Sequence, residues 1–205
     1  GPPMVGAEVK IAEDGEILLR GESMMKGYWN LPDVTAAAII DGWLHTGDIG
    51  KFDEQGSLMI TDRKKDIIVN SGGDNISPQR IEGLMTLETE ISQAMVYGDD
   101  KPYLVAVVWP DEDFMREFAR DNGLSNDIEV LGKNEEFRKV IRTAIDHVNQ
   151  RLSTIEKVRS FMFAEAAFTI DNEMLTPSMK IRRHKIREAY AKQLDGLYQR
   201  KRSGQ

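Results

Sequence analysis

The sequence has no cysteine, and this absence removes several kinds of chemistry at once. It excludes a disulfide framework, a thiolate nucleophile and a cysteine-based zinc site. Histidine is also scarce, and the three histidines, His45, His147 and His184, lie far apart without the spacing of metal ligands. We therefore predict that the chain contains no metal site.

A long apolar run and an excess of basic charge are missing as well. No segment approaches the length of a membrane-spanning helix, and the N-terminus lacks the basic-then-apolar pattern of a secretory signal. The formal net charge is −7, whereas a nucleic-acid-binding protein is usually basic overall. We expect a cytoplasmic protein that does not bind nucleic acid and whose membrane contact is at most peripheral. An acidic domain that docks on a basic partner is an alternative that rests on net charge alone.

The composition that remains is typical of a globular protein. The 205 residues are 40% hydrophobic and 30% charged, which suits one or two domains with a buried core. Residues 1–60 predict strands and two hairpins, at 12–15 and 53–56, with a short helix at 34–40 capped by Asp33. Later elements are predicted as follows: a helix starting at Ser77-Pro78, strands at 91–97 and 103–109, a helix between Asp111 and Gly123, a helix at 134–152, a strand at 161–163 and a helix at 182–200.

The pattern changes at a run of consecutive charges, residues 62–66. Before this run the chain is rich in strands, and after it helices alternate with a small sheet. We therefore predict an α+β fold with two domains, at 1–62 and 67–205, joined by a hinge at 63–66. The first is a β-rich subdomain, and the second is a small mobile domain with a short antiparallel sheet flanked by helices.

Three short segments carry residues that could bind a ligand. Asp48 follows a Thr-Gly turn and could accept hydrogen bonds from vicinal sugar hydroxyls, although an Asp after Gly is also ordinary turn chemistry. Ser71-Gly72-Gly73 offers bare backbone for close approach of a ligand, or it is a solvated turn. Lys180 follows a proline-bearing turn and could place a mobile point charge on a phosphate, or it belongs to a basic helix start on the surface.

The order of these segments resembles the adenylate-forming, AMP-binding enzyme superfamily. The similar motifs are Thr46-Gly47-Asp48, then Asp62-Arg63-Lys64-Lys65-Asp66 with Gly72-Gly73-Asp74-Asn75-Ile76-Ser77-Pro78, then Thr176-Pro177-Ser178-Met179-Lys180. A run at 21–30 is also similar to the family, so the resemblance covers nearly the whole chain. The branch most resembled is the long-chain fatty acyl-CoA synthetases.

The resemblance implies a role for each candidate residue. The implied set is Lys180 as the catalytic lysine, Asp48 and Arg63 at the ribose of the nucleotide, Lys65 as the hinge pivot, and Ser71, Gly72 and Gly73 beside the pantetheine of CoA. Many family members carry glycine before the catalytic lysine, whereas this chain carries Met179.

The same resemblance implies the C-terminal region of a long-chain fatty acid–CoA ligase, which adenylates a carboxylate with ATP and then forms a thioester with CoA. ATP, Mg²⁺, CoA and a fatty acid would bind the full-length enzyme, and a missing N-terminal domain would carry the ATP-phosphate loop and the acyl tunnel. We expect the 205-residue chain alone to be inactive. The alternatives are a fatty acyl-AMP ligase or adenylation domain that serves a carrier protein, and a non-catalytic interaction domain of the same fold.

Overall fold

The structure is a computed structural model that describes residues 1–199. The chain divides into two compact units, one formed by Gly1–Ile67 and the other beginning at Ile68. Both contain helices and strands, which confirms the predicted α+β class. Within the described residues, no helix combines the length and the apolar character needed to cross a membrane.

The first unit is built on an antiparallel five-stranded sheet with the order β1-β2-β4-β3, in which β5 also pairs with β4. Its elements are β1 (Ala7–Ile11), β2 (Glu16–Gly21), α1 (Pro32–Ala38), β3 (Ile39–Ile40), β4 (Trp43–Phe52) and β5 (Leu58–Arg63). Both predicted hairpins are present, because β1 pairs with β2 and β4 pairs with β5. The sheet therefore places β4 next to three other strands.

The predicted cap of the short helix is wrong. The helix begins at Pro32, with Leu31 as its N-cap, and Asp33 lies in the first turn. Proline at the first helical position needs no hydrogen-bond acceptor for its nitrogen, so it sets the start of the helix. The helix also ends earlier than predicted, because Ile39 and Ile40 pair with β4 as a strand.

The second unit contains a two-stranded ribbon and a three-stranded sheet. The ribbon pairs β6 (Ile68–Val69) with β7 (Asn75–Ile76), and the sheet has the order β10-β9-β8, formed by Val158–Phe163, Leu104–Pro110 and Ile91–Tyr97. The sheet is antiparallel between β8 and β9, as predicted, but β10 runs parallel to β9. A parallel neighbour needs a long crossover, and the helices between β9 and β10 provide it.

Helices cover both faces of this sheet. On one face lie α2 (Pro78–Met85), α3 (Glu112–Asn122), α4 (Ile128–Leu131) and α5 (Glu135–Asn149), and on the other lies α6 (Arg183–Gln199). Because both faces are covered, β9 reads as a continuous apolar run whose residues alternate between two cores. The predicted end of the last helix, Arg200, lies outside the described residues.

Local signals set several helix ends as predicted. Ser77 caps α2 ahead of Pro78, Asp111 caps α3, and Gly123 ends that helix in the left-handed conformation. The apolar stripe of α5 is buried at Phe137, Ile141, Ala144, Ile145 and Val148. The helix α4 was not predicted, since its four residues are too few to show a period.

Candidate functional site

Asp48 and Arg63 lie opposite each other on β4 and β5. The Arg63 Nε lies 2.9 Å from Asp48 Oδ1, and the carboxylate is more shielded from solvent than the guanidinium. The structure thus brings together the two residues that the resemblance places at a ribose. The ion pair engages Oδ1 of Asp48, and a carboxylate has further lone pairs to which a sugar hydroxyl could donate.

The strand β4 bulges where it carries Asp48. Glu16 of β2 pairs with Ile49, whereas Leu18 pairs with His45, so β4 has two more residues than β2 across this step. Gly47 lies in this bulge with φ of 70°, a left-handed conformation that glycine adopts readily. Bulges often occur beside active sites because they redirect a side chain, and here the side chain is Asp48.

A buried carboxylate that the sequence analysis missed holds this bulge. Glu16 is 3% exposed, and its Oε1 accepts a hydrogen bond from the Gly47 amide at 2.9 Å. Its Oε2 lies 2.9 Å from Nδ1 of His45 and accepts from Nζ of Lys64 at 3.0 Å. Lys64 also contacts Asp14 at 2.6 Å. We call Asp14, Glu16, His45 and Lys64 the Glu16 cluster.

The charges of the Glu16 cluster stabilise one another. Burial disfavours the ionised carboxylate, but hydrogen bonds from His45, Lys64 and the Gly47 amide outweigh it, so the pKa of Glu16 is lowered. The hydrogen bond from Lys64 lowers the pKa of Asp14. In turn, the hydrogen bonds to Asp14 and Glu16 raise the pKa of Lys64. At neutral pH the cluster therefore holds a lysine cation between two carboxylates.

The predicted hinge pivot lies directly after Lys64. Residues Lys64–Asp66 form a single 3-10 turn that follows β5. Lys65 is exposed, while the side chain of Lys64 is held by Glu16. One carboxylate thus contacts both the bulge next to Asp48 and the residue next to Lys65. The pivot role of Lys65 stays a prediction.

The glycine loop that joins β6 to β7 uses its own backbone amides. The side-chain oxygen of Asn70 accepts from the amides of Gly72 and Asp74, both at 2.9 Å. The Gly73 amide donates to the Asn70 carbonyl, and the Ser71 amide donates to the carbonyl of Lys101. The amides are therefore used within the structure, while residues 71–74 are exposed. The carbonyl of Asp74 is also used, because it accepts from the Asn70 amide at 3.1 Å. The assignment of this loop to a ligand stays a prediction.

The glycine loop is also tied to the turn between β8 and β9. Besides the bond from Ser71 to Lys101, the amide of Asp100 donates to Val69 at 2.8 Å. Lys101 Nζ in turn donates to Asp195 of α6 at 2.9 Å, and this hydrogen bond raises the pKa of Lys101. The loop is thus held by the rest of the second unit.

Lys180 lies in a tight turn whose backbone is fixed by three hydrogen bonds. The Thr176 amide donates to the Lys180 carbonyl, and the Met179 amide donates to the Thr176 carbonyl, both at 2.8 Å. The Lys180 amide donates to Oγ1 of Thr176 at 3.0 Å. Leu175 and Ile181 pair at the base of the turn. The backbone of Lys180 is therefore held while its side chain is exposed to solvent.

The basic residues that follow Lys180 are paired with carboxylates. Arg182 and Lys185 both contact Glu173, at 3.6 and 3.2 Å, and Arg183 contacts Glu82. Of the residues that the structure describes, none forms an ion pair with Lys180. Its ammonium is thus the cation of this segment that is available to an anionic ligand.

Met179 occupies the position where the resemblance places glycine, and its backbone explains why glycine suits this site. Its φ is 62°, in the left-handed region, and its side chain is 66% exposed. A non-glycine residue in this region costs about 1–2 kcal/mol. The hydrogen bond from the Met179 amide to the Thr176 carbonyl closes a turn over residues 176–179, which ends at this residue.

We predict that Met179→Gly leaves the stability unchanged or raises it by up to about 1 kcal/mol, because relief of strain outweighs the added freedom of the unfolded chain. Met179→Val should instead lower stability, because a branched Cβ is disfavoured at positive φ. Urea denaturation of the two variants measures both effects. A loss of about 1 kcal/mol for Met179→Gly, the ordinary cost of an added glycine, would contradict the prediction.

The family model described as "AMP-binding enzyme C-terminal domain" matches residues 65–202. The chain belongs to this family. The match begins at Lys65 and includes both the glycine loop and the Lys180 turn.

Longer relatives extend the similarity to the first unit. The chain is 36% identical over 200 residues to a long-chain-fatty-acid–CoA ligase of Mycobacterium tuberculosis, a match that covers 97% of this chain and 33% of the relative. The chain therefore spans about one third of the length of this curated relative.

Solved structures confirm the fold. The adenylation domain of a carboxylate reductase from Mycobacterium chelonae superposes with a TM-score of 0.79 at 23% identity, covering 96% of this chain and 31% of that chain. The o-succinylbenzoate coenzyme A synthetase of Bacillus subtilis, solved in complex with AMP, has a TM-score of 0.64 at 25% identity and covers 90% of this chain and 34% of its own.

Proposed function

We propose that the chain is the C-terminal region of an ATP-dependent long-chain fatty acid–CoA ligase, which we call the parent ligase. In its first half-reaction a fatty-acid carboxylate attacks the α-phosphorus of ATP, an O–P bond forms, and pyrophosphate leaves. In its second half-reaction the CoA thiolate attacks the acyl carbon, a thioester forms, and AMP leaves. The identity to a long-chain-fatty-acid–CoA ligase supports this choice of substrates.

The observation that carries the adenylation role is the Lys180 turn. Its backbone is held by hydrogen bonds to Thr176, and its exposed ammonium forms no ion pair with any described residue. A preplaced cation of this kind stabilises charge that develops on phosphate and carboxylate oxygens. We therefore assign Lys180 to the adenylation step.

The ribose site is assigned to Asp48 and Arg63. A carboxylate can accept hydrogen bonds from vicinal hydroxyls, and the contact with Arg63 fixes its orientation. The Gly47 amide, held by Glu16, fixes the backbone beside it. The complex of a related synthetase with AMP supports a nucleotide as the ligand.

The glycine loop is assigned to the thioester step. The amides of residues 71–74 are used within the structure, and the Asp74 carbonyl accepts from the Asn70 amide, so we assign the ligand contact to the carbonyl oxygens of residues 71–73. Pantetheine carries amide N–H groups that could donate to such oxygens. Lys65 is proposed as the pivot that allows the second unit to present this loop after adenylation.

The Mg²⁺ that accompanies ATP is not assigned to residues of this chain. No three histidine, aspartate or glutamate side chains converge as metal ligands within residues 1–199. A magnesium ion is commonly held largely by substrate phosphates, and no step of the chemistry proposed for this chain depends on a protein ligand to it.

We expect the parent ligase to form acyl-CoA from a fatty acid, ATP and CoA, and the 205-residue chain alone to form none. The reason is that Lys180, Asp48 and Arg63 supply only part of an ATP site. Liquid chromatography of reactions with fatty acids of several lengths measures the product. Acyl-CoA formed by the chain alone would refute its inactivity, and a parent that forms no acyl-AMP would refute the proposed function.

The same assay separates the alternatives. A holo-carrier protein offered in place of CoA would accept the acyl group if the parent is a carrier-directed adenylating enzyme. A non-catalytic domain would gain no thermal stability from ATP or CoA, whereas a ligase is stabilised by each ligand it binds.

A further inference from the structure

A partly buried ion pair joins the helix after the glycine loop to the helix after Lys180. Glu82 lies in α2 and is 6% exposed. The two terminal nitrogens of Arg183 each donate to one of its carboxylate oxygens, both at 2.5 Å. One of these oxygens also accepts from the amide of Val96 on β8, at 2.7 Å. Three elements, α2, β8 and α6, therefore meet at one carboxylate.

The position of Arg183 is unfavourable without its partner. Arg183 is the first residue of α6, and a cation at the N-terminal end of a helix opposes the helix dipole. The bidentate contact with Glu82 offsets this cost and has a defined geometry, since a planar guanidinium matches a carboxylate in one orientation. The pair thus fixes the direction from which α6 begins.

Apolar packing alone would not fix that direction. Ile186, Tyr190 and Leu194 bury α6 against the sheet, but hydrophobic contacts are non-directional. A buried ion pair is often replaceable by apolar residues without loss of stability, so its best-attested contribution is the register of the elements that it joins. Here the elements joined are those that carry the two proposed functional loops.

We infer that Glu82 and Arg183 are positioning residues that set the placement of the Lys180 turn for adenylation. This role rests on the proposed function of Lys180. Arg183 follows Lys180 by three residues, so a rotation of the start of α6 moves the turn directly. The helix α2 keeps its own cap, Ser77, and its own contacts, so the glycine loop is less affected when Arg183 is released.

The test uses Arg183→Met in the parent ligase, because methionine keeps the apolar part of the side chain and removes the guanidinium. We expect kcat for acyl-AMP formation to fall by about 10–100-fold, since a displacement on the order of 1 Å can cost about 10²-fold in rate. The KM for ATP and the rate of thioester formation from supplied acyl-AMP should each change by less than about threefold, because neither depends on the guanidinium of Arg183. Arg183→Lys should restore part of the adenylation rate.

Arg187→Met is the matched control. Arg187 lies one turn further along α6 and is exposed, with its guanidinium over the ring of Tyr97. The same change there should leave both half-reactions unaltered. If Arg183→Met does not fold, Glu82→Gln replaces it, because the amide oxygen can still accept from Val96 while the charge is lost.

A purely structural role would have a different signature. Partial unfolding would lower both half-reactions by the same factor, and a folded Arg183→Met variant with unchanged adenylation would also overturn the inference. Hydrogen exchange of the parent gives a readout without turnover: we expect faster exchange at the amides of 176–182 in Arg183→Met and not in Arg187→Met.

Lys180→Ala in the same assay separates this inference from the proposed function. If Lys180→Ala adenylates as well as the wild type, the proposed function of the turn fails. If Lys180→Ala loses adenylation selectively and folded Arg183→Met does not, only the positioning role fails.

Discussion

Replacing Lys180 by alanine should lower acyl-AMP formation by the parent ligase by about 10²–10³-fold, the usual cost of one preorganised group that stabilises developing charge. Thioester formation from supplied acyl-AMP should remain close to the wild-type rate. The asymmetry is expected because the proposed pivot at Lys65 presents the glycine loop in place of the Lys180 turn after adenylation, so Lys180 would act in the first half-reaction only. The exposed ammonium on a backbone-fixed turn is suited to that step.

The measurement separates the two half-reactions. Release of pyrophosphate in the absence of CoA reports adenylation, and AMP release from supplied acyl-AMP with CoA reports the thioester step. Lys192→Ala is the matched control, because Lys192 is an exposed lysine of α6 outside the turn. Equal loss in both half-reactions would contradict the assignment, and so would an effect no larger than that of the control.

A second substitution refines the role of the charge. Lys180→Arg keeps the positive charge but replaces a compact ammonium by a planar guanidinium. The guanidinium is a poor substitute for a mobile point charge on a phosphate. We expect an adenylation rate between those of Lys180→Ala and the wild type. A rate equal to that of Lys180→Ala would show that shape matters more than charge.

Local signals made much of the fold predictable from the sequence. Ser77-Pro78 and Asp111 mark helix starts because a side-chain oxygen meets free backbone amides within the same few residues. The parallel pairing of β10 was not predictable in this way, because it depends on contacts with β9 across three intervening helices. The cap of α1 was mistaken because Asp33 carries a capping signal one residue after a proline that sets the start of the helix.

In the candidate site, too, residues marked by local motifs were predicted, whereas residues that depend on distant contacts were missed. Asp48, Arg63 and Lys180 were found from sequence motifs, and the structure pairs the first two. The residues that were missed are buried polar groups that hold the functional segments: Glu16 at the bulge, Asn70 in the glycine loop and Glu82 of α2, which contacts the start of α6. A glutamate in a charged sequence resembles any surface glutamate. Its burial depends on partners that are distant in sequence, and in retrospect no local pattern marks it.

Loss of Glu16 should have the largest effect on the stability of the first unit. We expect Glu16→Ala to cost about 3 kcal/mol, near the lower limit for removing one partner of a buried ion pair, because Lys64 is half exposed and keeps Asp14. The Gly47 amide would lose its acceptor, so the bulge that carries Asp48 should loosen as well.

Urea unfolding followed by Trp43 fluorescence measures this effect, because Trp43 lies in β4 and its ring contacts the cations of Lys10 and Arg20 in the folded first unit. The other two tryptophans, Trp29 and Trp109, are replaced by phenylalanine so that the signal reports the first unit. Glu8→Ala is the matched control, since Glu8 forms an exposed ion pair on the same sheet. An exposed pair contributes less than about 1 kcal/mol.

The dependence on pH tests the cause of the effect. The folded-state pKa of Glu16 lies below its usual value of 4.5, so the unfolded chain binds the proton more readily than the folded chain. The stabilisation from the ionised Glu16 is therefore fully present above about pH 4.5. It is lost as the pH falls through the folded-state pKa. The stabilisation from Lys64 depends on pH in the opposite direction, because the folded-state pKa of Lys64 is raised above its usual value of 10.5. It is present below pH 10.5 and is lost as the pH rises through the folded-state pKa.

The difference in stability between wild type and Glu16→Ala should therefore be greatest near neutral pH and shrink as the pH is lowered to about 3. Asp14 also has a lowered pKa, so the stability of Glu16→Ala should still fall as the pH is lowered, but by less than that of the wild type. A difference that stays constant down to about pH 3 would mean that Glu16 stabilises the bulge through packing rather than charge, because protonation leaves packing unchanged. The Glu16 cluster would then be a steric support for Asp48, and its hydrogen bonds from His45 and Lys64 would contribute little to stability.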